Sequence, residues 1–315
     1  MRTLSALAFL ALLSSLPLQA QTVTIAPSEK GARIEIDGKL FTEYMTKGTQ
    51  RPCFYPVLGA NDAEVTRPYP LKEGSKEDHP HHSSIWIGHG GVNGTDFWMN
   101  GSDKGKIETT DLVVQAAVVG TADHVSFDTS SKWVKPNGDV VLTDKRHFII
   151  TALADGTRQL DITVAFTAPN GDATFEDTKE GTMAIRVAPT MALKGGTGHI
   201  LTGEGIKDAK AWGTQANWVA YYGPDPKGET VTLTMMDGPG NLRHPTWWHV
   251  RDYGLFAANP FGQHDFEKDK NNKTKGNYVL AKGTSFTQHY RILIQKGEPD
   301  VAGLNAAYKA FAEAK

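Results

Sequence analysis

The stretch WVKPNGDVVLTDKRHFIITAL, residues 133–153, alternates apolar and polar side chains on either side of an Asn137-Gly138 pair. A half-buried strand requires that alternation, because successive side chains leave opposite faces of the pleat. Asn-Gly accepts the left-handed backbone of a two-residue hairpin turn. The stretch therefore predicts an antiparallel hairpin. The same period runs through TVTIA from Thr22, ARIEIDGKLFTEY around Asp37-Gly38, HVSFD from His124, RQLDITVAFTA, TMAIRVAP, WVAYYG, TVTLTMM, YGLFAA, NYVLA and SFTQHYRILIQ. Helical spacing is confined to Val301, Leu304, Tyr308 and Phe311, after Pro299-Asp300. This pattern predicts an all-β chain: a large antiparallel β-sandwich with one C-terminal helix laid on a sheet edge or face.

Arg2, the apolar run from Leu4 to Leu16 and the small residue Ala20 have the layout of a cleavable export signal, which places residues 1–20 outside the folded protein. No later segment approaches the roughly 18 uninterrupted apolar residues of a membrane span, so no membrane insertion is expected after cleavage. Cys53 is the only cysteine, which excludes an internal disulfide, and it lies far from the cleavage site, which argues against a lipid anchor. A periplasmic or secreted location follows. Residues 21–315 show no linker and no fixed-period repeat, and are read as one β-sandwich domain. With 33 basic and 35 acidic residues the net charge is -2 and no basic track stands out, so nucleic acid is not an expected partner.

Four of the 11 histidines lie between Ser75 and Trp98. Pro80 is expected to hold His79 extended, putting residues 79–82 on a loop that enters a strand of residues 83–88. On a regular strand His82 and His89 would be roughly 23 Å apart at ~3.3 Å per residue, too far to share one metal ion. His79, His81 and His82 are the metal candidates, with Asp78, His264 or Glu180 to complete a site, but their spacing is no recognised zinc signature and no cofactor is required. Hydrogen bonding between strands is the ordinary alternative. A second group, HPTWWHVRDYGLFAANPFG from His244, puts Trp247, His249, Arg251 and Tyr253 on one face of a strand and Trp248, Val250 and Asp252 on the other. An indole beside an imidazole and a guanidinium suits a saccharide, whose ring packs on the aromatic surface while charged donors meet hydroxyls or a carboxylate. A Trp pair in the core is the bland alternative. A third segment, FEDTKEGTMAIRVAP, offers Glu180 in a loop as a general base and Arg186 on the face opposite Ile185 as an anchor for a substrate anion.

RPCFYPVLG, DHPHHSSIWIGHGGVNGTDFW, TKEGTMAIRVA and NLRHPTWWHVRDYGLFAANPFG occur in order between Tyr44 and Arg291, and in them the chain resembles the exported PmoA-type family of bacterial proteins. The resemblance implies a setting in saccharide breakdown and supplies no residue roles. The family label refers to a methane oxygenase subunit that spans the membrane several times, whereas this chain has no span. Gly91 stands where the family usually carries an acid. HGGVNGTDFW is also similar to a stretch of aldose 1-epimerases, which implies a galactose mutarotase-like supersandwich with His89 at the sugar and Asp96 and Trp98 supporting it. The expected function is a carbohydrate-active enzyme of epimerase, lyase or glycoside-cleaving type, with His81, His89, His249 and Glu180 as acid and base. Arg186, Trp247, Arg251, Asn93 and Asp96 are expected to bind the saccharide or glycoside. Two alternatives accompany this reading: a non-catalytic saccharide-binding protein, and a metal-dependent oxidase or oxygenase at the histidine cluster.

Overall fold

The computed structural model describes residues 21–71, 78–114 and 123–314; the expected export signal lies outside them. The strands begin with β1 (Val23–Pro27), β2 (Gly31–Ile36), β3 (Lys39–Met45), β4 (Cys53–Val57), β5 (Ile85–His89) and β6 (Lys106–Val114). They continue with β7 (His124–Val134), β8 (Val140–Ala152), β9 (Arg158–Thr167), β10 (Ala173–Phe175), β11 (Gly181–Arg186) and β12 (His199–Thr202). The last are β13 (Trp218–Pro224), β14 (Thr230–Asp237), β15 (Trp247–Val250), β16 (Leu255–Asn259), β17 (Tyr278–Leu280) and β18 (Ser285–Lys296). A one-turn helix α1 (Gln263–Phe266) and the C-terminal helix α2 (Val301–Glu313) complete the chain.

Two eight-stranded antiparallel sheets form the sandwich, in the orders β1-β2-β3-β4-β5-β11-β16-β15 and β12-β13-β14-β18-β9-β8-β7-β6. The predicted all-β sandwich is the observed fold. The hairpin of residues 133–153 joins β7 to β8, with Phe127 opposite Phe148 and Trp133 opposite Leu142. Its loop is longer than the two residues expected: Lys135 and Asp139 close it, and Gly138, at φ +93°, is its left-handed residue. Pro136 presets the first turn position, which favours this longer form. Asp37-Gly38 does form the two-residue turn, with φ of +52° and +74°.

The core lies between the sheets. Ile85, Ile87, Met183, Ile185, Trp248, Val250 and Phe256 of the first sheet meet Phe148, Ile150, Ile162, Leu233 and Ile292 of the second. Alternation along β8 buries Leu142, Asp144, Arg146, Phe148 and Ile150. The two charges survive there because they satisfy each other. Arg146 donates to both Asp144 oxygens at 2.8 Å, and Trp133 Nε1 donates to Asp144 at 2.7 Å.

Helix α2 covers the outer face of the second sheet, where Leu304, Tyr308 and Phe311 pack on Leu201, Trp218, Met236 and Leu293. Val301, read as part of the same stripe, is exposed instead. Asp300 caps the helix by accepting the Ala302 N–H at 3.1 Å. Asp300→Ala is expected to lower stability by about 1 kcal/mol, which corresponds to a fall in Tm of roughly 2 °C for a chain of this size.

Candidate active site

The first sheet carries a second apolar layer on the face turned away from the sandwich. Strand pairing lines up Cys53, Trp86, Ala184, Ala257 and His249 in one row across β4, β5, β11, β16 and β15. Trp98, Tyr69, Met45 and Leu255 pack around this row, with Tyr253 at its margin. Arg186 follows Ala184 on the same face by the two-residue period of β11. Trp248 and Val250 point the other way into the core, as the period of β15 demands, and the Trp248 indole donates to Ala216 O at 2.9 Å. Strand β15 ends at Val250; a turn over residues 251–254, closed by Gly254 at φ +100°, carries Arg251 and Tyr253 back over the layer.

The histidine loop lies against this face and is clamped by two buried arginines. Arg51 donates to the carbonyls of His81, Phe97, Trp98 and Met99, and to the side chains of Ser83 and Asn100, over 2.6–3.2 Å. Arg67 donates to the carbonyls of Asp78 and His79 at 2.6 and 2.7 Å. His79 is not extended as Pro80 led us to expect. Its φ is +50°, and the turn closes with His82 N–H donating to His79 O. The Arg67 bonds, the contact of His79 Nδ1 with the Asp78 carboxylate at 2.8 Å and the stack of His79 on Tyr253 at 4.6 Å hold this conformation.

Around Tyr253 the groups converge. The Arg186 guanidinium lies 4.7 Å from its ring centroid and that of Arg251 5.5 Å. Arg186 also donates to Asp78 at 2.8 Å and to His82 Nδ1 at 3.0 Å. His82 Nδ1 is thus an acceptor, and the neutral ring carries its proton on Nε2. His249 donates from Nδ1 to Lys179 O at 2.6 Å, which leaves its Nε2 lone pair unprotonated and fixes the residue before Glu180. The loop bearing His79, His81 and His82, the Glu180 loop, Arg186, His249 and Arg251 share one face of one sheet.

Electrostatics sort these residues into roles. Burial pushes Glu180 above the usual carboxylate range, against the pull of Lys179 3.4 Å away. Burial and the nearby Arg51 depress His81 to about 3, and burial depresses His249 to about 3. His82 is driven lower still by burial and by His81. These imidazoles are neutral at pH 7, which sets them apart from the near-neutral proton exchange expected of them. The accessible rim consists of Glu180 and Asp78, with side chains 31% and 48% exposed, together with His79, Arg251 and Tyr253.

Other candidates lie elsewhere. His89 is fully buried on the sandwich side of β5, between Phe175 and Phe261, and donates to Glu176 O at 2.8 Å; burial depresses it to about 4. It faces the core because it stands three residues from Trp86, an odd step on a strand. Asn93, at φ +48°, bonds Thr174 and Asp172 in a turn. Asp96 caps the N–H groups of Trp98 and Met99 and so shapes the loop that Arg51 grips. Trp247 shares the His249 face but is buried. A side chain at Gly91 would meet the Glu176 carboxylate at 2.5 Å, so Glu176 occupies the space an acid there would fill. The rings of His79, His81 and His82 lie within 4.6–5.6 Å of one another. Among the described residues no group of three or more His, Cys, Asp or Glu side chains is arranged to hold a metal ion. His82 Nδ1 faces the Arg186 cation.

Fold and site together define a β-sandwich protein with a buried arginine, histidine and tryptophan layer beneath a small carboxylate-bearing rim. The chain belongs to the family of unknown function DUF6807, whose profile matches residues 31–309. No curated protein matches it in sequence. Among solved structures it is similar to a galactose 1-epimerase from Lactobacillus acidophilus, at 9% identity and TM-score 0.41, covering 88% of this chain and 100% of that one. It is also similar to a glycoside hydrolase family 97 enzyme in complex with panose from Pseudoalteromonas sp. strain K8, at 14% identity and TM-score 0.30, covering 90% of this chain and 35% of that one.

Proposed function

We propose that the protein is an exported carbohydrate-active enzyme of lyase, isomerase or hydrolase type, with Glu180 as the group that moves the proton. One observation carries the reading: a carboxyl group whose proton affinity is raised by burial follows the residue that His249 holds, on the sheet face where two guanidinium groups lie over a partly exposed tyrosine. Tyr253, backed by His79, offers the flat surface for a pyranose ring, and Arg186 and Arg251 supply donors for its oxygens. His249 acts as a neutral hydrogen-bonding group that fixes the Glu180 loop, while Arg51 fixes the histidine loop through the His81 carbonyl.

Glu180→Gln keeps size and hydrogen bonding but removes the transferable proton. Turnover of a panel of oligosaccharides, followed by NMR, is expected to fall about 10²- to 10⁴-fold in this variant while sugar binding changes little. Wild-type protein that binds sugars but leaves the whole panel unaltered would favour the second reading, a non-catalytic saccharide-binding protein built on the same aromatic and cationic surface. Recovery from the periplasm of a chain beginning near Gln21 checks the export.

A further inference from the structure

The charges at this site are unevenly neutralised, and the inconsistency points to a substrate class; the inference rests on the saccharide reading above. Six cationic side chains surround the histidine loop and Tyr253: Arg51, Arg67, Arg186, Arg251, Lys179 and Lys194. Asp78 lies 2.8 Å from Arg186 and 3.5 Å from Arg67, and Glu180 lies 3.4 Å from Lys179. Of the other nearby carboxylates, Asp96 is engaged by two backbone N–H groups, and Asp252 lies between Arg251 and Tyr253 in the chain. Arg51 meets only neutral oxygens. Among the described residues no carboxylate pairs with Arg251 or Lys194. With the buried imidazoles uncharged, six cations among the described residues face the four carboxylates Asp78, Glu180, Asp96 and Asp252, which leaves positive charge beside Tyr253. Lys194 lines a depression of about 360 Å³ together with Asp78, Arg186 and Tyr253, and Arg251 stands 5.5 Å from the centroid of the same Tyr253 ring.

We infer that the substrate is an acidic saccharide, whose carboxylate is received by Arg251 and Lys194 beside the Tyr253 ring. Arg251 partly overlies an aromatic face and is partly exposed, so its guanidinium is oriented yet reachable. A planar fork of N–H donors matches a planar carboxylate, and charge-assisted bonds of this kind are roughly twice as strong as neutral ones. A neutral sugar would leave the surplus charge unanswered.

The test measures binding by calorimetry of galacturonan, glucuronoxylan and alginate fragments, each beside its carboxyl-reduced neutral counterpart, with sulfated carrageenan fragments as a third arm. At least one acidic fragment is expected to bind at least about tenfold more tightly than its reduced form at low salt, with the preference fading as salt rises. Arg251→Gln with Lys194→Gln should abolish the preference, and Arg251→Lys should restore part of it. Both positions are accessible, so the melting temperatures of the variants should match the parent. Equal affinity for acidic and reduced fragments would overturn the inference while leaving the saccharide reading intact. A preference for sulfated fragments over carboxylates would overturn the carboxylate assignment. Binding of none of the three classes would overturn the saccharide reading as well.

Discussion

Acidification from pH 6.5 to about 4 is expected to unfold the protein. Burial depresses His81 and His249 to about 3 and His89 to about 4, and drives His82 lower. In the unfolded chain each imidazole takes up a proton near pH ~6.5. Between that value and the folded one the unfolded state binds more protons, so stability rises with pH across this window and is fully present above it. Each histidine contributes up to about 1.4 kcal/mol per pH unit. Four acting together exhaust a typical reserve of about 5–15 kcal/mol within two or three pH units. Urea unfolding between pH 4 and 8 should therefore show a plateau above pH 7 and a steep decline below pH 6. His89→Gln should make the decline shallower by close to one proton. Unchanged stability down to pH 4 would contradict the buried, neutral state of these rings.

Replacement of Arg51 by Met costs at least about 4 kcal/mol. The guanidinium is fully buried, and burial pulls it down to about 10, which still leaves it charged at pH 7. Its removal strips the donors from four backbone carbonyls and two side chains at once. A buried acceptor left without a donor costs about 1–3 kcal/mol, and methionine offers none. Arg51→Lys keeps the charge but not the fork, so about half of that loss is expected. Urea unfolding read by tryptophan fluorescence is well placed to measure this, since Trp86 and Trp98 lie in the layer that Arg51 ties down. A loss under about 1 kcal/mol would mean that water replaces the clamp.

Most of the architecture was legible because period two is a local signal. The hairpin of residues 133–153, the long strands β9 and β18, and the capped terminal helix all declare themselves in consecutive residues. Strands β4, β6, β10 and β12 did not. Strand β4 carries a proline, β10 and β12 are three and four residues long, and β6 is a polar edge strand. Burial of Asp144 and Arg146 on the inner face of β8 breaks the apolar pattern, and only their mutual pairing explains why the strand tolerates it.

The site was legible in part. Glu180, Arg186, His81, His249 and Arg251 were found by residue type and do share one face. Tyr253 was assigned to that face for the wrong reason, since a turn rather than a continued strand puts it there. His89 was misplaced because a similarity of some ten residues outweighed the parity of its strand. Arg51 and Arg67 were missed: most of the hydrogen bonds they make go to backbone carbonyls, which no side-chain pattern reveals. The available signal was two Arg-Pro pairs, Arg51-Pro52 and Arg67-Pro68, each followed closely by an aromatic residue. The depressed proton affinity of the histidines was also invisible, because burial depends on what the fold stacks above them.

The second apolar layer, with its guanidinium clamps, makes the shape of the rim a property of the whole sheet. To swing the histidine loop outward, the chain would have to bare a desolvated cation and part with the indoles beneath it, so no cheap local opening exists. The rim is thus preorganised: a ligand meets a finished surface and is spared the entropy of ordering it.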